Sequence, residues 1–256
     1  MTQPQPTSQP VSQPVSQLVA LPRRVAAEAV GTGFLVAAVI GSGIAASRLS
    51  PSDVGLQLLE NSLATGVVLA ALIVALQPVS AAFNPIITLV ERVLGVITTR
   101  ETVVLIAAQL LGGTVGAVAA NLMFGLPPVS LSTHSRGGPG IWLAEVIATL
   151  GLVVIIAAAG RAGRGAQVGY LVGAYITGAY WFASSTSFAN PTVTLARTLS
   201  DTFAGLAPTS APMFIGMQLA GGAAALTLLK ILHPHPAEAA AAVAAPAAAL
   251  RPKDRP

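Results

Sequence analysis

The sequence predicts an all-α membrane protein with six transmembrane helices and two half-helices, arranged as an inverted repeat. Three observations lead to this prediction. Of the 256 residues, 54% are hydrophobic and only 9% are charged, whereas about a quarter of the residues in a soluble domain are charged. Six stretches are apolar and long enough to span a bilayer. Two Asn-Pro motifs, at Asn84 and Asn190, lie between these stretches.

The six apolar stretches fall into two groups of three. A transmembrane helix needs about 20 mostly apolar residues. The predicted spans cover residues 25–46, 56–77, 102–123, 141–159, 167–183 and 212–232. Residues 1–22 and 233–256 are low in sequence complexity and are predicted to be disordered tails, which leaves residues 23–232 as one membrane domain.

Each Asn-Pro motif predicts the start of a helix that is too short to cross the membrane. Asn is a preferred N-cap and Pro is preferred at the first helical position. The predicted helices cover residues 84–95 and 190–204. About ten helical residues extend roughly 15 Å, which is half of the hydrocarbon core. A single Asn-Pro fits an ordinary loop-to-helix turn equally well. Two motifs in corresponding places favour paired half-helices around a pore.

Matching residues in the two halves indicate an internal duplication. Glu28 and Gln109 of the first half correspond to Glu145 and Gln218 of the second, in the patterns Glu-x-x-x-Thr and Gln-x-x-Gly-Gly. The predicted repeats cover residues 23–124 and 140–232. Because each repeat holds an odd number of spans, the second inserts in the opposite orientation. A pathway is expected where two inverted repeats meet.

The positive charges predict the orientation of the chain in the membrane. Cytoplasmic loops carry an excess of Lys and Arg. With the N-terminus inside, the outer side carries only Arg48, Arg136 and Arg197 of the 13 basic residues. This predicts a multi-pass protein of the inner (plasma) membrane with both termini in the cytoplasm. The first half-helix then enters from the cytoplasm and the second from outside.

The residue inventory argues against several other classes of protein. With no Cys and three scattered His residues, no disulfide framework or metal site is predicted. No nucleophile–base pair or phosphate loop indicates an enzyme, and no cofactor or nucleic-acid partner is expected. An ion-coupled secondary transporter also fits inverted repeats with broken helices. It would need a titratable relay, and the spans offer only Glu28, Glu60 and Glu145.

Taken together, these motifs resemble the aquaporin (major intrinsic protein) family. The resemblance covers residues 23–232 and rests on the paired Asn-Pro motifs, the two repeated patterns and the order of spans and half-helices. It implies a passive channel for small neutral solutes in the lipid bilayer. It also implies a homotetramer with one pore in each subunit.

The sequence departs from the family pattern at both motifs. Where the family usually has Asn-Pro-Ala, this chain has Asn84-Pro85-Ile86 and Asn190-Pro191-Thr192. The loop before Asn84 is one residue short. The pore arginine that follows the second motif in the family is replaced by Val193. A filter without this arginine resembles that of aquaporins found among bacterial arsenic-resistance genes.

The resemblance also implies roles for individual residues. Asn84 and Asn190 would cap the half-helices and donate amide N–H groups to solute oxygens, and preceding backbone carbonyls would accept hydrogen bonds. Glu28 and Glu145 would hold the half-helix loops. The selectivity filter would consist of four residues without an aromatic ring or a charge, namely Thr65 (or its neighbour Ala64), Gly178, Ser187 and Val193.

This wide, uncharged filter predicts passage of glycerol-like polyols, arsenous acid or similar metalloid hydroxides, and water. A water-dominant aquaporin is the alternative. Arg197 lies four residues after Val193 on the same helix face and compensates for the lost arginine in one interpretation. In the favoured interpretation it is a surface residue paired with Asp201. Trp142, Tyr180 and Trp181 are predicted interfacial anchors.

Overall fold

The computed structural model of the chain describes residues 19–232. Within this range it contains α-helices and short 3-10 turns, and no β-strand. Residues 1–18 and 233–256, which make up most of the two predicted tails, lie outside the described residues. The first helix begins at Leu21, inside the predicted N-terminal tail, so the boundary expected at residue 22 was slightly late.

The eight α-helices of residues 19–232 follow the order long, long, short, long, and then repeat it. This order confirms the predicted fold class, and each predicted span and half-helix corresponds to one helix. The first half contains α1 (Leu21–Leu49), α2 (Val54–Leu76), α3 (Pro85–Val93) and α4 (Thr99–Met123). The second half contains α5 (Pro139–Arg161), α6 (Val168–Phe182), α7 (Pro191–Ala196) and α8 (Ala211–Leu232).

Helices α6 and α7 are shorter than expected. In the described residues, five helices (α1, α2, α4, α5 and α8) are long and apolar enough to cross a membrane. Helix α6 has only 15 residues, but a 3-10 turn at Gly165–Gln167 precedes it directly. Together they extend about 28 Å, close to the thickness of a hydrocarbon core. Helix α7 ends at Ala196 and continues as a 3-10 turn at Arg197–Leu199.

Local sequence explains where several helices begin. Asp53 caps α2 by accepting a hydrogen bond from the Leu56 N–H at 2.9 Å. Thr98 and Glu101 form a capping box at the start of α4. These side chains satisfy backbone N–H groups that have no partner within the helix. The two half-helices use the asparagines of their motifs in the same way.

Corresponding helices pack in corresponding ways in the two halves. Helix α1 packs along α4, α5 packs along α8, and α2 packs against α6 and α1. Small residues permit close approach: a Cβ on Gly173 of α6 would lie only 2.5 Å from the backbone oxygen of Gly66 in α2. Small residues at helix crossings are typical of membrane bundles, where backbones must come close to gain packing energy.

The outward faces of the long helices are apolar. Phe34 of α1, Val67 of α2 and Leu111 of α4 are all more than half exposed. A soluble protein rarely exposes so many large apolar side chains along its helices. The length, hydropathy and exposed apolar faces of these helices are those of a multi-pass membrane protein.

Candidate pore between the half-helices

Helices α3 and α7 begin at the two motif asparagines, as the sequence predicts. The Asn84 Oδ1 atom accepts a hydrogen bond from the Ile86 N–H at 2.9 Å. The Asn190 Oδ1 atom accepts from the N–H groups of Thr192 at 2.9 Å and Val193 at 3.3 Å. Pro85 and Pro191 occupy the first helical positions. Each side chain therefore caps its own half-helix.

The two asparagines also join the two repeats. Asn84 donates from Nδ2 to the Ala189 carbonyl at 2.8 Å, and Asn190 donates from Nδ2 to the Phe83 carbonyl, also at 2.8 Å. This reciprocal pair brings the starts of the half-helices together. Each amide group has two N–H donors, and the reciprocal bond takes one. The expectation that both N–H groups remain free was therefore wrong, and one per asparagine is left for a solute.

The residue before each asparagine has a left-handed backbone. Phe83 and Ala189 both have φ of 47°, a region that residues other than Gly, Asn and Asp rarely occupy. Their carbonyls are the two acceptors of the reciprocal bonds. Sequence reasoning missed this feature because neither Phe nor Ala favours positive φ.

The buried carboxylate of Glu28 binds the loop that leads into α3. It accepts hydrogen bonds from the backbone N–H groups of Ala82 at 2.9 Å and Phe83 at 2.7 Å. It also accepts from the Ser80 hydroxyl at 2.6 Å and from Nε2 of Gln109 at 2.8 Å. Four donors around one carboxylate offset the cost of burying its charge.

Glu145 binds the second loop in the corresponding way. Its carboxylate accepts from the backbone N–H groups of Phe188 at 2.9 Å and Ala189 at 3.0 Å. It also accepts from Nε2 of Gln218 at 2.6 Å. Three donors surround it, one fewer than Glu28 has. Both carboxylates therefore lie where the sequence predicts, each against the loop of its own repeat.

Threonines extend both networks into the half-helices. Gln109 donates to the Thr88 hydroxyl at 2.9 Å, and Gln218 donates to the Thr194 hydroxyl at 2.9 Å. Each threonine lies four residues after its motif asparagine and donates to the carbonyl of that asparagine. Every hydrogen-bonded step from glutamate to half-helix is thus present twice.

The third residue of each motif packs between helices and does not line the pore. Ile86 contacts α8, where a Cβ on Gly222 would lie 2.9 Å from its Cγ2 atom. Thr192 contacts α4 in the same way, at Gly113. Neither side chain lines the cavity between the half-helices. The glycine pairs of α4 and α8 therefore make room for side chains larger than the family's alanine.

A cavity of about 160 Å³ runs through the centre of the molecule between the two half-helices. Both motif asparagines line it, together with mostly apolar side chains. At one end it reaches Arg24 and Glu91, near the start of α1. At the other end it reaches Arg197, beyond α7. The apolar wall includes Leu35, Val39, Leu69, Ile73, Leu152 and Val172.

Three of the four predicted filter residues line this cavity. Thr65, Ser187 and Val193 line it, and of the neighbours Ala64 and Thr65 only Thr65 does so. The Thr65 hydroxyl accepts a hydrogen bond from the Tyr180 hydroxyl at 3.3 Å. Ser187 Oγ is buried without a protein partner.

The expectation that Gly178 lines the cavity was wrong. Its backbone is exposed, and a Cβ there would meet nothing within 4 Å. The lining residues of α6 are Val168, Val172, Ile176 and Tyr180, four residues apart on one face. Gly178 follows Ile176 by two residues and so lies on the opposite side of the helix. Tyr180, only 3% exposed, is therefore a lining residue and not an interfacial anchor.

Arg197 is not a surface residue paired with Asp201, contrary to the favoured interpretation. It is 2% exposed and lines the cavity. Its Nε atom donates to the Ala204 carbonyl, and its guanidinium carbon lies 3.6 Å from the centre of the Phe188 ring. Asp201 instead accepts from the Thr133 N–H at 2.8 Å, and this contact lowers the pKa of the Asp201 carboxyl.

The cavity is therefore charged at both ends. At the end opposite Arg197, Arg24 forms an ion pair with Glu101 at 2.6 Å, and Glu91 lies nearby. Beyond the predicted filter residues, the cavity lining also contains a charge and aromatic rings, those of Arg197, Tyr180 and Phe188. The three predicted filter residues that line the cavity, Thr65, Ser187 and Val193, have neither.

A bundle of apolar helices with two opposed half-helices and a cavity along its axis defines a membrane channel for small neutral solutes. The comparisons with known proteins agree. The chain belongs to the major intrinsic protein family, whose sequence profile matches residues 16–186. It is similar to aquaglyceroporin AqpS of Rhizobium meliloti (strain 1021), with 48% identity over 213 residues, covering 83% of this chain and 91% of AqpS.

A solved structure has the same fold. The X-ray structure of the aquaglyceroporin from Plasmodium falciparum matches with a TM-score of 0.66 and 19% identity, over 84% of this chain and 98% of that one. The family profile ends at residue 186, before Asn190. The second half-helix is thus recognised by its structure and by its repeat relation to the first.

Proposed function

We propose that this protein is a passive channel for glycerol-like polyols and for metalloid hydroxides such as arsenous acid, with water passing as well. The main observation is Val193, which lines the cavity three residues after the cap of the second half-helix, Asn190. An arginine there would add a long side chain, five N–H donors and a charge. Similarity to a protein named aquaglyceroporin supports the same class of solute.

In this proposal the asparagines and the apolar wall both determine which solutes pass: the asparagines donate hydrogen bonds, and the wall contacts the apolar part of the solute. A hydroxyl-bearing solute loses water partners on entering and regains some of them from the remaining Nδ2–H groups of Asn84 and Asn190. Its carbon or metalloid face contacts the apolar residues. Cations lose their hydration and meet the positive N-terminal ends of two half-helices, which raises the barrier to their passage.

Thr65, Ser187 and Val193 form the outer filter in this proposal, with Tyr180 taking the place expected for Gly178. The Ser187 hydroxyl is the free polar group among them. Glu28 and Glu145 act as supports. By accepting hydrogen bonds from loop N–H groups, they hold the half-helix loops in place beside the pore. Ion-coupled transport is a weaker candidate, because carboxylates bound by three or four donors are poor proton relays.

A solute panel in reconstituted vesicles tests the proposal. Stopped-flow light scattering would compare glycerol, a larger polyol and water, and a direct uptake assay would follow arsenous acid. Glycerol and arsenous acid uptake well above empty vesicles is expected. Water permeation without glycerol uptake would establish the water-dominant alternative. Solute flux that follows an imposed pH gradient would establish coupled transport.

The proposal also includes location and assembly. We place the protein in the inner (plasma) membrane with both termini in the cytoplasm, and we expect a homotetramer. The outward apolar faces of α1, α2 and α4 supply surface for lipid and for neighbouring subunits. Reporter fusions active on opposite sides of the membrane test the topology. Native mass spectrometry in detergent tests the assembly, and a monomeric mass would reject the tetramer.

A further inference from the structure

Two arginines of the predicted outer side share one aromatic ring. The guanidinium carbon of Arg197 lies 3.6 Å from the centre of the Phe188 ring, and that of Arg136 lies 5.7 Å from the same centre. The two guanidinium carbons are therefore within about 9 Å of each other. At that separation two like charges repel each other, because little water screens them in a partly buried site.

No carboxylate among residues 19–232 contacts either guanidinium, although the charge of Glu145 attracts both from a distance. Glu145 is already bound by loop N–H groups and Gln218, and Asp201 by Thr133. A buried guanidinium with no carboxylate in direct contact is costly, so the site gains stability when an anion enters it.

Arg197 also retains donors that face the cavity. Its one hydrogen bond in the described structure is from Nε to the Ala204 carbonyl. That contact and the Phe188 ring fix the plane of the guanidinium. The two terminal NH₂ groups make no protein hydrogen bond, although the side chain is 98% buried and lines the cavity. Such a fixed fork matches two oxygens of a carboxylate or phosphate.

Arg136 lies near the same ring, outside the cavity lining, and adds a second positive charge to the site. Its Nη1 atom donates to the Ser185 carbonyl at 3.2 Å and to the Thr186 hydroxyl at 3.1 Å. These residues directly precede the lining residue Ser187. Burial lowers the pKa of the Arg136 guanidinium, which fits a poorly hydrated charge. Arg136 thus adds positive potential without entering the cavity lining.

We propose that Arg197 and Arg136 form a binding site for small oxyanions at the outer end of the cavity. An oxyanion bound to the terminal NH₂ groups of Arg197 occupies the path of a neutral solute and slows its passage. A bidentate contact in a partly desolvated site corresponds to a dissociation constant of about 1–10 mM. The proposal rests on the proposed function only in that solute flux is one of its readouts.

The test uses the full-length protein in proteoliposomes with inorganic phosphate as the probe. Glycerol flux would be measured with about 30 mM external sodium phosphate and with sodium chloride matched in ionic strength and osmolarity. Given the expected affinity, phosphate should slow wild-type flux about twofold or more. Phosphate placed only inside the vesicles should have a much smaller effect, because the site lies on the outer side.

Variants separate the site from a general charge effect. Arg197→Met should abolish the phosphate effect, Arg136→Met should weaken it, and Arg197→Lys should retain part of it because the fork is lost but the charge remains. Arg48→Met is the matched control. Arg48 also stacks on a ring, with its guanidinium carbon 5.2 Å from the centre of the Phe124 ring. It belongs to the predicted outer side. Its removal should leave the phosphate effect unchanged.

An independent readout keeps the two proposals separable. Phosphate binding to the detergent-solubilised protein, followed by ³¹P line broadening, does not depend on flux. If wild-type vesicles pass no glycerol, the proposed function fails, and the ³¹P measurement alone decides the oxyanion site. Equal effects of phosphate and chloride together with no ³¹P broadening would overturn the site. So would a phosphate effect that persists unchanged in Arg136→Met and Arg197→Lys.

Discussion

The hydrogen-bond networks of the two repeats are nearly identical where the half-helices meet. The residues that the repeats contribute at the two ends of the cavity differ. Glu28, Gln109 and Asn84 in the first repeat make contacts that correspond to those of Glu145, Gln218 and Asn190 in the second. The exceptions are the extra Ser80 donor to Glu28 and the second N–H that Asn190 caps. The basic residues at the two ends of the cavity differ. Arg24 is paired with Glu101, whereas Arg197 stacks on Phe188 and has no acidic partner in the described residues.

This difference distinguishes residues that hold the fold together from residues that determine which solutes pass. The central networks position two loops whose backbone polar groups lie at membrane depth, and both loops need the same solution because no lipid can satisfy those groups. The ends of the pore contact different solutions and need no symmetry. Function that depends on direction or on a particular solute is therefore expected from the residues that the repeat does not duplicate.

The largest expected effect comes from the duplicated glutamates. Glu28→Gln replaces an acceptor of four hydrogen bonds with an amide whose NH₂ group faces donors, and Glu145→Gln does the same to three. Each change should destabilise the fold by about 3–5 kcal/mol, with Glu28→Gln the worse of the two. Thermal unfolding in detergent measures this, with Glu60→Gln as the control. Equal stability of the Glu28 variant and wild type would contradict the support role.

The next largest effect concerns the motif asparagines. Asn190→Ala removes the cap of two N–H groups and Asn84→Ala the cap of one, and each leaves the opposite carbonyl without its partner. We expect losses of about 1–2 kcal/mol from each lost cap and a marked fall in glycerol flux. Thermal unfolding and flux assays on the same preparations check this. A flux loss confined to one asparagine would argue against their reciprocal arrangement.

Val193→Arg tests the second repeat alone. The longer, charged side chain should lower glycerol flux about tenfold and water flux less, since the added bulk and charge act most on the wider solute. Stopped-flow measurements of both solutes give the ratio. Val193→Leu is the control that adds bulk without charge. Equal losses of glycerol and water flux in Val193→Arg would mean that Val193 does not face the permeation path.

A smaller effect distinguishes the two sides of α6. Tyr180→Ala should raise the flux of a polyol larger than glycerol relative to water, because a ring leaves the cavity wall. Gly178→Ala should leave that ratio unchanged, because a Cβ there meets nothing within 4 Å. Flux ratios in vesicles decide between them. A changed ratio in Gly178→Ala would restore the original assignment of the filter.

The smallest expected effect is the response to mercury salts. The chain has no Cys, so mercurials should not block the wild-type channel. Ser187→Cys places a thiol on the cavity wall and should make the channel sensitive. Water permeability before and after mercury treatment measures the effect, with reversal by a thiol reagent as the control. A Ser187→Cys channel that mercury does not block would contradict the placement of Ser187 on the cavity wall.

The sequence predicts the scaffold well because the scaffold is duplicated. Three features occur twice in the same order: the Asn-Pro caps, the inward carboxylates and the glycine pairs. A pattern that occurs in both halves is less easily mistaken for a chance match than a single copy. Glu28 and Glu145 lie against their loops as expected. The positive φ of Phe83 and Ala189 could not be predicted, because those conformations are set by the partner repeat and not by the residues themselves.

Predictions failed where the second repeat departs from its copy. The family resemblance predicts Gly178 on the cavity wall, but the face of α6 that lines the cavity carries Val168, Val172, Ile176 and Tyr180. Arg197 was judged by its spacing to Asp201, as if α7 continued. The change to a 3-10 turn at Arg197 breaks that spacing and leaves the side chain inside.

The reciprocal hydrogen bonds, from Asn84 to the Ala189 carbonyl and from Asn190 to the Phe83 carbonyl, have a consequence for synthesis. Neither loop can complete its hydrogen bonds until the other has been made and inserted. Because the chain is synthesised from its N-terminus, α3 is made before α7. During that interval the Asn84 loop lacks its partner in the second repeat. We therefore expect the pore to be completed only after the second half-helix has been inserted.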